Sequence, residues 1–450
     1  MDYILHLLGG GAGNLASYLA AHVLLCLLPA FFIAGAMAAL IPKASITRWL
    51  GRSTPRYVSY PAAAAAGSLL AVCSCTIVPL FAGIYRKGAG VGPATTFLFF
   101  APAGNIMALA YTGSILGGEF AAARFVLSLT FGVGIGLLMA LLFWRDDASH
   151  DAQTDALFAG KAAIGPAAVG VLLSLVALLI AGTLKLWPLT AAITTVNLPL
   201  PWAEAWQATL SGWVPFDAAK GEEGVSVQGS LLIALLALIG ATAWKGLENI
   251  TEGANRWTWA ALGLAATTLL VASLRLTPHA GGLDVALTGR AFAVAGTLAA
   301  VVGFGRRLNP EDWAAWLWES WRFVKQIFPL LVVGVFAVGV IRQLIQPEWI
   351  QTLAGRNDLQ GNATAVLFGV FMYFPTLVEV PVARMFLDLG MHRGPLLAYL
   401  MADPELSLQS ILMISAVVGR HKTAAYVGLV ALFSMTSGLL YGAWTDGLNL

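Results

Sequence analysis

Val78-Pro79-Leu80, Gly88, Gly92-Pro93 and Pro102 are matched, 302 residues on, by Val380-Pro381-Val382, Gly390, Gly394-Pro395 and Pro404. Five pairs of glycine or proline share that single offset: Pro79/Pro381, Gly88/Gly390, Gly92/Gly394, Pro93/Pro395 and Pro102/Pro404. Upstream, with small shifts, Leu50-Gly51-Arg52 answers to Ala354-Gly355-Arg356, and Pro29 to Pro329. All the paired residues are types that break or bend helices. In a chain with 48 glycines one or two such matches arise by chance, but five at one offset mark a duplication.

The duplicated breaks lie in apolar sequence. Only 11% of the 450 residues are Asp, Glu, Lys or Arg, against roughly 25% in an average soluble domain. Such a chain cannot cover its surface with polar atoms, which excludes a soluble enzyme, a nucleic-acid binder and a disordered chain. The net charge of +2 is too weak a field to recruit an acidic macromolecule. Three cysteines cannot form a disulfide framework, the six histidines show no ligand spacing, and no cofactor is expected. Met1-Asp2-Tyr3 lacks the basic start of a cleaved signal peptide. A bilayer core takes about 20 apolar residues to cross. Twelve segments qualify: 17–41, 62–84, 92–116, 122–143, 163–186, 228–247, 257–274, 286–304, 324–345, 363–387, 394–418 and 423–444.

Two of the twelve are interrupted at corresponding places, at Cys73-Ser74-Cys75-Thr76-Ile77-Val78-Pro79 and at Phe374-Pro375-Thr376-Leu377-Val378-Glu379-Val380-Pro381. Inside lipid every amide and carbonyl needs a partner, so such breaks persist only where protein or a watery cavity surrounds them. Positive charge chooses between a kinked span and a re-entrant hairpin. If both segments are hairpins and the N-terminus is outside, inner loops carry about 16 Lys and Arg and outer loops about 8. If both cross, the split is about 13 to 11. The hairpin solution places loop 42–60 inside and its counterpart 342–361 outside, so the halves are inverted. The expected fold is an all-α integral membrane protein of about ten transmembrane helices plus two broken re-entrant hairpins. Residues 1–161 would form the first repeat around hairpin 62–84. Residues 162–305 would supply central helices with a periplasmic loop at 187–227, and 306–450 the second repeat around hairpin 363–387. Trp187, Trp202, Trp206 and Trp213 suit an external loop with a short surface helix.

Ionisable groups at membrane depth are candidates for function because burying them is costly. Glu379 sits at the second break, and Asp403 and Glu405 flank Pro404, where the first half has Ala101, Pro102, Ala103 and then Asn105. Such carboxyls can exchange protons, as a proton-coupled carrier requires. Arg384, five residues after Glu379, is the expected partner for one of them; held so, the acid would serve the fold only. Cys73 and Cys75 offer two sulfurs which, off a regular helix, can face one ligand, and thiolates favour soft species such as Cu(I) or a metalloid. Cys26 would be packing or a third sulfur. Ser74 and Thr76 would bind an anion or satisfy freed carbonyls. Pro79 and Pro381 would shape the pocket, with Thr376 and Asn105 on its walls.

The stretch Cys73-Ser74-Cys75-Thr76-Ile77-Val78-Pro79, followed by Arg86-Lys87-Gly88-Ala89, resembles the CSCGVVP…RRRGA signature of a large family of predicted bacterial permeases. Met372-Tyr373-Phe374-Pro375-Thr376-Leu377-Val378-Glu379-Val380-Pro381 is similar to that family's MYFPTLTEVP stretch. The likeness covers 20–143 and 320–444; it departs at Thr76, where the family has Gly, and at Ala101-Pro102-Ala103-Gly104-Asn105, where it has a GPATN-like motif. One branch of the family exports trivalent organoarsenicals. The resemblance implies an inner-membrane permease, not an enzyme, whose partners are the lipid bilayer and a small-molecule or ion substrate, and it is compatible with a homo-oligomer. A thiophilic solute leaving by proton-coupled efflux is the leading expectation. A channel-like pore for a small anion or sulfur species, and a membrane-embedded thiol redox subunit, are the alternatives.

Overall fold

The computed structural model describes residues 2–20, 23–69, 74–149, 164–183, 187–214, 224–344, 348–371 and 379–448. Apolar sequence becomes helix here because a helix satisfies its own backbone without water. The first stretch of chain gives α1 (Asp2–Ala20), α2 (Val23–Leu40), α3 (Lys43–Leu50), α4 (Arg56–Leu69), α5 (Ser74–Arg86), α6 (Val91–Ala103), α7 (Ile106–Ile115) and α8 (Gly118–Leu142). The middle gives α9 (Pro166–Thr183), α10 (Trp187–Thr190), α11 (Trp202–Trp213), α12 (Val227–Gly246), α13 (Arg256–Ser273) and α14 (Gly289–Gly305). The last part gives α15 (Pro310–Arg342), α16 (Glu348–Ala354), α17 (Leu359–Phe371), α18 (Glu379–Asp388), α19 (Arg393–Leu406), α20 (Leu408–Val418) and α21 (Arg420–Leu448).

Among the described residues six helical runs are long and apolar enough to cross a bilayer, and two bent pairs, α1 with α2 and α19 with α20, bring the number to eight. The chain is a multi-pass membrane protein. Its helices show large apolar side chains outward: Leu231 and Leu238 on α12, Leu173 and Ile180 on α9, Val126 and Leu141 on α8. Exposed threonines on these helices bond back to their own turn, as Thr130 does to Val126 O (2.8 Å) and Thr242 to Leu238 O (2.8 Å), so they offer lipid no open donor.

The matched sequence folds into matched elements. After α5 the chain turns at Gly88 (φ 90°), and after α18 at Gly390 (φ 94°), a backbone region closed to side chains. The turns are tied alike: Ala89 N bonds Ile84 O (3.2 Å) and Met391 N bonds Phe386 O (2.9 Å). Gly90 N reaches Leu50 O (2.8 Å), and His392 N reaches Ala354 O (3.0 Å). Next come two broken helices, α6–α7 capped at the break by Asn105, and α19–α20 capped by Ser407. Gly117 (φ 103°) and Gly419 (φ 86°) then open α8 and α21. Gly136 lies against Gly92 O, and Gly438 against Gly394 O, so no side chain fits between α6 and α8 or between α19 and α21. Across the halves, α5 packs on α20 and α18 on α7.

The ends of α21 are fixed by polar contacts. Near its start Lys422 bonds Tyr85 Oη (3.1 Å) and pairs with Asp146 (3.8 Å). Near its end Asp446 pairs with His392 (3.0 Å). Beside Tyr85, Arg86 bonds Gln326, and Gln326 bonds Ala416 O, the last turn of α20.

The all-α expectation needs one correction. Strands β1 (Ala192–Leu198), β2 (Arg275–His279) and β3 (Gly282–Thr288) form an antiparallel sheet in the order β1-β3-β2. β2 and β3 are a hairpin closed by Ala280-Gly281, and β1 adds from the loop after α9. The segment expected to cross the membrane at 286–304 therefore begins as strand: Leu283, Val285 and Leu287 alternate with polar or small residues, the period of a strand. The chain gains backbone partners this way that a bare loop would lack.

Candidate functional site

Arg124 projects from α8 and is fully buried. Its Nη2 donates to Glu379 Oε1 at 2.5 Å, Nη1 to Thr112 Oγ1 at 3.1 Å, and Nε to Ala103 O at 3.1 Å. Ala103 O is available because α6 ends there; a continuous helix would use that carbonyl for its own ladder. Glu379 is the first residue of α18 and is likewise fully buried. One guanidinium therefore ties α8 and both halves of the broken helix α6–α7 to the start of α18. Removing two charges from water costs several kcal/mol per ion, and only close geometry with further hydrogen bonds compensates. Arg124 has both.

A second acid is held from the matching place on the other half. Tyr426, 302 residues after Arg124, donates its hydroxyl to Glu405 Oε2 at 2.6 Å. Glu405 is buried in the last turn of α19, and Asp403, two residues back and also buried, lies within hydrogen-bonding reach of Glu379. Gln409, in the first turn of α20, is fully buried, and neither its amide oxygen nor its nitrogen is bonded among the described residues. The same holds for Glu405 Oε1. Buried polar atoms without a protein partner are uncommon, and they single out Gln409 and Glu405 beside the acids.

The expected residues are placed unevenly. Glu379, Asp403 and Glu405 come together. Asn105 is buried, and its Oδ1 accepts from Ala108 N (2.7 Å) as the cap of α7. Thr76 and Pro79 are buried in α5, and Pro381 lies on the exposed side of α18. Cys73 and Thr376 lie outside the described residues, as do the side chains of Ser74 and Cys75. Cys26 is packed in the apolar core with Leu25 and Leu27. No cluster of three metal-binding side chains occurs among the described residues.

The pairing expected of Arg384 is corrected. Its guanidinium is half exposed and bonds Asp388 on its own helix (3.1 Å), one turn on, which is nearer than any acid in the interior. Arg124 takes the role instead. Two signals in the sequence point to it: an arginine in the apolar run 122–143, and its alignment with Tyr426 at the repeat offset.

Apolar helices broken in pairs around a buried, charged site define a class, the multi-pass membrane permease. The chain belongs to the family described as predicted permease (ArsP_1), whose model matches residues 10–443. It is 32% identical to the UPF0718 protein of Methanocaldococcus jannaschii over 446 residues, 98% of each chain. No solved structure matches it.

Proposed function

We propose that the chain is a secondary-active permease of two inverted halves that exports a small, thiophilic solute across the inner membrane in exchange for protons. The observation that carries the reading is the charge count at the meeting of the breaks. Among the described residues three buried carboxyls, Glu379, Asp403 and Glu405, stand against one buried guanidinium, Arg124, which pairs with Glu379. Charge balance among groups so buried then asks for protons, up to two, or for positive charge on the cargo. A proton on Glu379 removes the partner of Arg124 and loosens the tie between α8 and α18. Loss of that proton remakes it. Opposed broken elements joined by a link of this kind suit alternating access.

Inversion is supported by the ends of α21. Lys422 contacts the α5 turn and Asp446 the α18 turn, with a helix of about 24 residues, roughly 36 Å, between them. About ten spans follow if the shorter apolar helices also cross. Cys73, Ser74, Cys75 and Thr76 would meet the cargo from the first break, and Thr376 and Pro381 from the second. The direct test is transport in proteoliposomes of a trivalent methylarsenical, inorganic oxyanions and thiosulfate under imposed pH gradients. Glu379→Gln should abolish the pH dependence of flux, and an unchanged profile would remove proton coupling through this residue. Cys73→Ser with Cys75→Ser should abolish methylarsenical transport; unaltered transport would remove the sulfur ligands.

A further inference from the structure

Two apolar crevices lie on the flank of the bundle and meet at Phe32 and Leu262. One, of about 450 Å³, runs between α2, α12, α13 and α15. The other, of about 600 Å³, runs between α2, α9, α13, α14 and α15. Cavities of roughly 300–1,000 Å³ hold whole small ligands. Trp259, Val302 and Arg306 line the larger crevice and are exposed, so it opens to the outside of the bundle.

Charge separates the two mouths. At the smaller crevice Lys325 is already neutralised, its Nζ 2.7 Å from both oxygens of Glu248. At the larger one Arg306, which caps the C-terminus of α14, makes no ion pair among the described residues. Arg307 follows it, its guanidinium 5.7 Å from the Phe304 ring centre. Glu311 and Asp312 lie near in sequence, in the first turn of α15, but do not line the crevice. Trp259 and Trp313, stacked at 5.6 Å, form one wall, and Trp316 fixes another by donating to Phe32 O (2.9 Å). An apolar slot with indoles, and at its mouth an arginine that forms no ion pair among the described residues, has the polarity profile of a phospholipid.

We propose that the larger crevice binds an anionic phospholipid, with an acyl chain between α9, α13 and α14 and the phosphate at Arg306. The site is separate from the Arg124–Glu379 centre and stands whether or not the transport reading does. Its test is native mass spectrometry of the full chain, purified in detergent and titrated with phosphatidylglycerol and phosphatidylcholine of identical acyl chains. Wild type should retain phosphatidylglycerol about five-fold better, and Arg306→Ala should bring the two lipids level. Ala266→Trp, which fills the slot, should lower retention of both. Arg384→Ala, an exposed arginine elsewhere, should leave the preference intact. Equal retention by wild type, or a preference that survives Arg306→Ala, would overturn the proposal. So would displacement of the lipid by inorganic phosphate alone, which would make the site one for a free anion.

Discussion

Replacing Glu379 by Leu leaves the Arg124 guanidinium in a site that water does not reach. Breaking a buried ion pair from one side costs about 3–5 kcal/mol, because a charge stays behind unpaired. The two sides are not equivalent. A guanidinium cannot shed its proton, whereas a carboxylate stranded by Arg124→Leu can take one up and become neutral. Arg124→Leu also removes donors from Ala103 O and Thr112 Oγ1, at about 1 kcal/mol for each bond, which is the smaller quantity. Glu379→Leu should therefore lower the thermal midpoint more than Arg124→Leu. The double substitution buries no charge at this point and should recover most of the loss, as buried pairs replaced by apolar residues commonly do. The assay is monodispersity on size exclusion after heating the detergent-purified protein. A double variant no more stable than the worse single one, or single variants at the wild-type midpoint, would refute the reasoning. A recovered double variant that no longer transports would separate the pair's part in function from its part in folding.

The repeat makes parallel predictions. Gly136→Val and Gly438→Val should both destabilise by at least about 1–3 kcal/mol through overpacking against Gly92 and Gly394, read as loss of monodisperse protein, while Gly134→Val, with Phe433 3.7 Å away, should be tolerated. Gly88→Ala and Gly390→Ala should each cost about 1–3 kcal/mol in thermal stability, because both turns need positive φ. Tyr426→Phe should cost about 1–3 kcal/mol by orphaning Glu405 Oε2, measured against wild type in the same melt. Outside the membrane, hydrogen bonds from Lys325 and Trp321 hold the Glu248 carboxyl below its usual range. The stability this confers is present above the unfolded carboxyl pKa and lost as pH falls through the folded value. Glu248 is more than a third exposed, so Glu248→Gln should remove less than about 1 kcal/mol and flatten the acid limb of the midpoint-versus-pH curve.

Much of the architecture was legible in the sequence because it rests on residues with backbone meaning. Gly88, Gly92, Gly390 and Gly394 stood out as matched helix breakers; the first and third of these are turns of positive φ, while Gly92 and Gly394 lie within α6 and α19 where α8 and α21 approach closely. The acids near the breaks could be read because charge is rare in an apolar chain. Arg124 was legible by the same rule yet was passed over for Arg384, which is nearer Glu379 in sequence; separation along the chain says little about which side chains meet in a bundle. The sheet was hidden because β3 runs directly into the apolar α14, and a short alternating stretch beside a longer hydrophobic run is absorbed into it. Helix α1 was missed for the opposite reason: Gly9-Gly10-Gly11 weakens its pattern, although Gly10 and Gly11 are where Gln343 and Phe336 of the α15 side press against it.

The central claim is that the α5 turn and the α18 turn face opposite sides of the membrane and bring their broken helices together between. It is tested most directly by labelling Arg86→Cys and His392→Cys, one at a time in a variant lacking Cys26, Cys73 and Cys75, with a membrane-impermeant maleimide on intact cells and on inverted vesicles. The account predicts that His392→Cys is labelled from outside and Arg86→Cys only in inverted vesicles. Labelling of both from the same side would contradict it.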